Sequence, residues 1–318
     1  MYKLGIDLGG TNIVAGVVDE NFKIIAKGKR KTALPRSAEE IANDMVEASL
    51  EAIEKAGLKL DDIDACGIGA PGSVDPKTGF IAYSNNLGFY DVPLGEMMNK
   101  KMGKAFYLEN DANAAAYGEY IAGAGKGTNN FVAITLGTGV GSGIIVDGKI
   151  LSGSNFAGAE LGHTVIQMNG ESCTCGRNGC FEAYASATAL IRQTKQAMER
   201  YPESIMWELC GKNKDKVSGL TAFDAMRKGD MAGKEVVDKY IEYLSVGVAN
   251  VINIFQPDMV CIGGGVSHEG DNLIIPLKQK LNGEDYARHM SKRADVKTAA
   301  LGNDAGIIGA AYLCNLYK

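Results

Sequence analysis

The sequence predicts an α/β protein of two related domains with a duplicated core, and three observations predict it. A strand, a glycine-rich turn and a second strand ending in Asp occur twice: IDLGGTNIVAGVVD (6–19) overlays ITLGTGVGSGIIVD (134–147) without a gap at a shift of 128 residues. Ile6/Ile134, Leu8/Leu136, Gly9/Gly137, Val18/Val146 and Asp19/Asp147 are identical, and a repeat of this kind marks two related units. Small, apolar, strand-like runs, IDACGIGA (63–70) and DMVCIGGG (258–265), alternate with segments of helical period. The chain has 318 residues, 46% hydrophobic and 22% charged, which is room and material for two soluble domains.

Taken in order, the first hairpin has Asp7 before its turn and Gly9, Gly10 and Thr11 within it. Bare amides and a hydroxyl at such a turn can bind phosphate oxygens; a plain glycine-rich hairpin is the alternative. Ser37 and Glu40 form a capping box, Ile41, Met45, Ala48 and Ala52 follow at helical spacing, and Gly57 marks the helix end. Strand 63–70 ends in Pro71–Gly72, at the carboxyl edge where α/β sheets bind ligands. The polar loop 83–94 offers Asn85 and Asn86 to a hydroxylated ligand or simply makes a turn.

Strand KAFYLEND runs into Asn110 and Asp111, which open a helix. Asp111 reads either as an N-cap or as a general base able to accept a hydroxyl proton during phosphoryl transfer. The helix dipole is expected to keep it ionised. Thr138 with glycines 137, 139, 141 and 143 makes the second phosphate turn. Two such turns across one cleft would grip a nucleotide from both sides.

Beyond lie a helix at 183–200, a Lys-rich surface loop at 211–218, and a long core helix at Ala232–Phe255 stopped by Pro257. Gly263, Gly264 and Gly265 end the next strand and would let a flat ring lie against backbone. A strand near 296–299 precedes a terminal helix, 307–317, expected to pack back on the first domain.

Between these elements sits ELGHTVIQMNGESCTCGRNGCFE (160–182). Nine residues separate His163 from Cys173, one separates Cys173 from Cys175, and four separate Cys175 from Cys180. One imidazole and three thiols can close a tetrahedral zinc site, with Gly176 and Gly179 permitting the fold-back. The alternative is reduced thiols and a loop histidine. A structural zinc would fix Glu160 and Glu182 at the ends of the stretch.

Charge and cysteine usage exclude several classes. Lys+Arg 33 against Asp+Glu 38 gives −5 with no basic block, so neither a nucleic acid nor an anionic membrane is an expected partner. No apolar run approaches membrane-spanning length, and Met1 leads into a strand with no signal-peptide pattern. Cys66, Cys210, Cys261 and Cys314 are scattered as reduced core thiols, which fits a cytoplasmic setting.

IDLGGTN, ENDANAAAYGE, LGTGVGSGIIVDGKI…GAELGH and CTCGRNGCFE together resemble the ROK family (repressor, open reading frame, kinase), and within it the bacterial glucokinases. The resemblance spans essentially the whole chain, and the last two motifs are the specific ones. It implies a two-domain actin-like ATPase fold (ribonuclease H-like), divided as 1–112 with 304–318 and 113–303. It implies a kinase using ATP and Mg²⁺ on the 6-hydroxyl of glucose, with a structural Zn²⁺, as a homodimer or a tetramer.

By the same resemblance Asp111 is the base. Asn86, Glu160, His163 and Glu182 bind sugar hydroxyls, with Gly72 and Asn110 lining the pocket. Gly9, Gly10, Thr11, Gly137, Thr138 and Gly139 face phosphates, Gly264 and Gly265 the adenosine, and Asp7 holds Mg²⁺ through water. His163, Cys173, Cys175 and Cys180 hold zinc. Kinases for N-acetylmannosamine, N-acetylglucosamine, fructose or allose, a non-catalytic sugar-sensing regulator and a non-sugar ATPase are the competing readings.

Overall fold

The computed structural model describes residues 1–318. Its strands are β1 (Tyr2–Leu8), β2 (Asn12–Val18), β3 (Ile24–Lys31), β4 (Ile63–Ala70), β5 (Ser73–Asp75), β6 (Phe80–Ser84), β7 (Phe89–Val92), β8 (Phe106–Asn110), β9 (Phe131–Leu136), β10 (Val140–Val146), β11 (Lys149–Ile150), β12 (Met259–Gly263) and β13 (Asp295–Thr298). The helices are α1 (Ala38–Lys55), α2 (Leu94–Met102), α3 (Asp111–Ala122), α4 (Glu182–Ala185), α5 (Ala187–Arg200), α6 (Met206–Leu209), α7 (Thr221–Arg227), α8 (Met231–Phe255), α9 (Asp271–Glu284), α10 (Ala305–Ala311) and α11 (Cys314–Tyr317).

The duplication seen in the sequence is a duplication of sheets. One five-stranded sheet runs β3-β2-β1-β4-β8 and the other β11-β10-β9-β12-β13. Each begins with the strands of a glycine-turn hairpin and continues through strands brought in by crossovers. In the first sheet β1 pairs antiparallel with β2, Leu4 opposite Val17 and Leu8 opposite Ile13, and parallel with β4, Ile6 opposite Ile68. Beside them β5-β6-β7 form a small antiparallel sheet.

Contacts divide the chain into two compact units: Met1–Val132 with Gly143–Ala159 and Ala300–Lys318, and Ala133–Ser142 with Glu160–Ala299. In the first unit, side chains alternate across the sheet. Leu4, Ile6 and Leu8 are fully buried in one cluster with Ile41 and Met45 of α1. Gly5, and Asp7 on the same face, meet α10 instead. The capping box at Ser37 starts α1 as its sequence predicts, with the Ser37 side chain accepting from Glu40 N and the Glu40 carboxylate accepting from Ser37 N. In the second unit α8 starts one residue before its expected range, capped by Asp230, and buries Val236, Tyr240, Leu244, Val248 and Val251 as one stripe.

Five expectations change. The boundary expected after residue 112 does not follow the compact units, because α3 packs on α10 within the first. There a Cβ at Gly309 would stand 1.7 Å from Ala114 O, so only glycine permits the two backbones to approach. The helix expected at 183–200 is two, since Ser186 is extended and its side chain caps α5 at Ala189 N. The terminal helix is also two, α10 and α11. The segment 83–94 holds part of β6 and all of β7, and α9 lies where no element was expected. None of the seven cysteines forms a disulfide, and Cys66, Cys210, Cys261 and Cys314 are buried.

Candidate active site

In the first unit the candidate residues gather where β1, β4 and β8 end. The turn at Gly9–Thr11 is closed by Gly9 N donating to Asn12 O at 2.9 Å. Thr32, fully buried, braces it from both sides: its hydroxyl donates to Gly9 O at 2.6 Å and its N–H to Thr11 O at 3.0 Å. Gly10 and Thr11 face solvent, and Asn86 stands beside Gly10.

Asp7 and Asp111 form an acidic pair of this unit. Burial pushes the Asp7 carboxyl up to about 6, and the neighbouring Asp111 charge adds to the rise.

The β8–α3 junction settles which residue is the cap. Asn110, not Asp111, is the N-cap: its Oδ1 accepts from Ala112 N at 2.9 Å and Asn113 N at 3.1 Å, and its Nδ2 donates to Gly72 O at 3.0 Å. Asp111 is therefore the first helical residue, and its carboxylate is not consumed by capping. One of its oxygens accepts from Ala112 N at 2.9 Å. Burial raises its pKa, against the lowering effect of amide hydrogen bonds from Ala112 and Asp111 and of the Asn110 side chain. The helix N-terminus thus does less for its ionisation than the sequence led us to expect. A half-buried carboxylate whose proton affinity is raised is suited to accepting a hydroxyl proton.

In the second unit the turn at Gly137–Gly139 is pinned by its own carbonyls. Gly137 O accepts from Ala187 N at 2.8 Å, and Thr138 O from the Thr188 hydroxyl at 2.8 Å. The first residue of α4, Glu182, reaches into this turn, Oε2 accepting from Val140 N at 2.9 Å. A Cβ on Gly139 would lie 2.3 Å from that oxygen, so the close approach requires glycine. Glu182 Oε1 meets the Thr174 hydroxyl at 3.3 Å and Cys173 Sγ at 3.7 Å. One carboxylate thus ties the glycine turn to the cysteine loop. Gly264 packs on the Leu136 backbone, one residue before the same turn, and Gly265 opens the short helix that follows.

The cysteine loop folds back through Cys173 N to Arg177 O at 2.8 Å, Gly179 N to Glu171 O at 2.7 Å and Phe181 N to Thr164 O at 2.8 Å. His163 closes the short helical turn Leu161–His163, with Glu160 at its N-terminal end. Ligand atoms of His163, Cys173, Cys175 and Cys180 all lie within 4.8 Å of one another. Cys175 Sγ and Cys180 Sγ are 3.7 Å apart, and Cys173 Sγ is 3.6 Å from His163 Nδ1. Tetrahedral zinc, with bonds of about 2.3 Å to sulfur and about 2.0–2.1 Å to nitrogen, separates two sulfurs by about 3.8 Å and a sulfur from a nitrogen by about 3.6 Å. The four residues fit that ion. Nδ1 is the nitrogen turned to the cysteines, which leaves Nε2 for another partner.

Two residues of the site were not foreseen. Thr32 gave no sequence signal, being one polar residue at the end of an alternating strand. Glu109 did give one, a carboxylate at an inward strand position, and it is 1% exposed.

The chain matches the model of the ROK family over residues 3–316. It is 39% identical over 310 residues to a glucokinase of Thermotoga maritima, covering 97% of this chain and 95% of that protein. It is 31% identical over 292 residues to a xylose repressor of Caldicellulosiruptor bescii, covering 89% of this chain and 70% of that protein. Among solved structures, a ROK family glucokinase from Streptomyces griseus in complex with glucose and AMPPNP superposes with a TM-score of 0.81 at 36% identity, over 98% of this chain and 99% of that one. No helix is long and apolar enough to cross a membrane.

Proposed function

The chain belongs to the ROK family, and we infer that it transfers the γ-phosphoryl group of ATP to the 6-hydroxyl of glucose. The observation that carries this reading is its near-full-length likeness to glucokinases, one of them solved with glucose and a nucleotide analogue.

In this mechanism Asp111 accepts the proton of the sugar 6-hydroxyl as the new P–O bond forms. The capping of α3 by Asn110 leaves that carboxylate available, and its raised pKa supports the role. Asn110 and Gly72 line the sugar pocket beside it, and Asn86, Glu160, His163 and Glu182 orient the hydroxyls. The turns Gly9–Gly10–Thr11 and Gly137–Thr138–Gly139 face the ATP phosphates, with Gly9 N and Gly137 N spent on closing the turns themselves, and Gly264 and Gly265 face the adenosine. Asp7 would hold Mg²⁺ through water, and the ion supplies charge neutralisation at the phosphates.

Zinc on His163, Cys173, Cys175 and Cys180 is a brace rather than a reactant. With Nδ1 facing the thiols, Nε2 is free to donate to or accept from a sugar hydroxyl, so metal occupancy sets the ring's orientation. The Glu182 bridge from Val140 N to the Thr174 hydroxyl, between two of the cysteines, supports the same coupling from the other end of the loop.

An ADP-release assay over glucose, fructose, allose, N-acetylmannosamine and N-acetylglucosamine with ATP tests the reading. Glucose is expected to give the highest kcat/KM. Turnover with none of these sugars would overturn it.

A further inference from the structure

Resting on the reading of Asp111 as the base, we propose that Glu109 is the positioning residue that fixes it, through a buried network completed by Ser152 and Tyr317. Glu109 is 1% exposed, so it meets no substrate. Its Oε1 accepts from Asn110 N at 2.8 Å and from Asn113 Nδ2 at 3.1 Å. Its Oε2 accepts from the Ser152 hydroxyl at 3.2 Å and from the Tyr317 hydroxyl.

The first two bonds clamp Asp111 from both sides, at the residue before it and two residues after it. The same two residues are joined again by the Asn110 cap, whose amide reaches Gly72. The last two bonds come from distant parts of the chain, the segment after β11 and helix α11. Burial and the Glu109 charge push the Tyr317 phenol up, which keeps it a donor. Four donors from four segments on one carboxylate define a single rotamer. That rotamer fixes the peptide on which the base stands.

The donors differ in a way that makes the idea testable. Asn110 N–H cannot reverse its direction, whereas the Ser152 and Tyr317 hydroxyls can donate or accept. Glu109→Gln can therefore keep the geometry, its carbonyl oxygen on Asn110 and its amide on the two hydroxyls. Glu109→Ala cannot. Misplacing a catalytic group by about 1 Å costs on the order of 10²-fold in rate. Glu109→Ala is expected to lower kcat by about that factor with glucose KM within about threefold, and Glu109→Gln to stay within about fivefold of the parent.

A loss that acts through Asp111 should also vanish when Asp111 is already gone. In an Asp111→Asn background, Glu109→Ala is expected to change kcat by less than about twofold. Parent-like kcat in Glu109→Ala, or an undiminished loss in the Asp111→Asn background, overturns the inference. Should Glu109→Ala not fold, the double variant Ser152→Ala/Tyr317→Phe decides: a kcat about tenfold lower at unchanged glucose KM is expected, and an unchanged kcat refutes the role. The base reading fails separately, if Asp111→Asn alone turns over like the parent.

Discussion

The two glycine turns share a backbone plan and differ in what surrounds them. The first, Gly9–Thr11, has Asp7 behind it and a second acid, Asp111, close enough to raise the Asp7 pKa. The second, Gly137–Gly139, has Thr135 where the repeat places Asp7, and its carbonyls are fastened to α5. The first turn thus has two acids near it, while beside the second the Glu182 carboxylate joins the turn to the cysteine loop. The repeat thus carries two like turns whose surroundings have diverged; on the function proposed above, the first belongs to the reacting half and the second to the half that orients the substrate.

The largest effect is expected in the reacting half. Asp111→Asn should lower kcat by about 10²–10⁴-fold, the usual range for general-base catalysis, in steady-state ADP release. Because burial raises this carboxyl, the acid limb of kcat/KM should lie above the ordinary carboxylate range near 4; a limb at or below that range would break the assignment.

Asp7 offers a second contrast. Its folded pKa of about 6 exceeds the ordinary value of 3.8, so the folded protein binds this proton more tightly than the unfolded chain. The corresponding stability is present below pH 3.8 and lost as pH rises through about 6. Replacing the acid should therefore relieve up to about 3 kcal/mol at pH 7.5 and nothing below pH 4. Denaturant unfolding of Asp7→Asn at both pH values checks this, with turnover expected to fall as stability rises. Equal stabilisation at both pH values would show that the carboxylate charge is not the cause.

In the orienting half, Cys175→Ser should reduce bound zinc, measured by atomic emission, and raise glucose KM about tenfold, as loss of support around a metal ligand does. The ATP KM should stay near the parent's; a shift confined to ATP would move the loop's role to the nucleotide. Thr32→Val is the smallest change. It removes the brace on Gly9 O at a cost of about 1 kcal/mol, read as a few-fold rise in ATP KM with glucose KM unmoved.

Much of this contrast is visible in the chain itself. The 128-residue repeat locates both hairpins because a glycine turn between apolar strands is a local signal, and Ser37–Glu40 marks the start of α1 for the same reason. The spacing of His163 and the three cysteines announces a tetrahedral donor set. What escapes local reading depends on distant partners. Whether Asn110 or Asp111 caps α3 is open in the sequence, since either side chain can do it, and the choice falls to Asn110 as its amide also reaches Gly72 O. Ser186 reads as an ordinary helical residue until its side chain is seen capping Ala189 N. Glu109 shows only as a misplaced charge, because Ser152 and Tyr317, which satisfy it, lie 43 and 208 residues away. The extent of the compact units escapes local reading for a similar reason: the approach of α3 to α10 depends on Gly309, far along the chain from Ala114.

Glucose affinity, measured by calorimetry in Asp111→Asn and Cys175→Ser side by side, tests the division of labour most directly. Asp111→Asn is expected to keep the parent's Kd within about threefold while losing turnover, and Cys175→Ser to bind about tenfold more weakly. The reverse pattern, weak binding without Asp111 and parent-like binding without zinc, would contradict it.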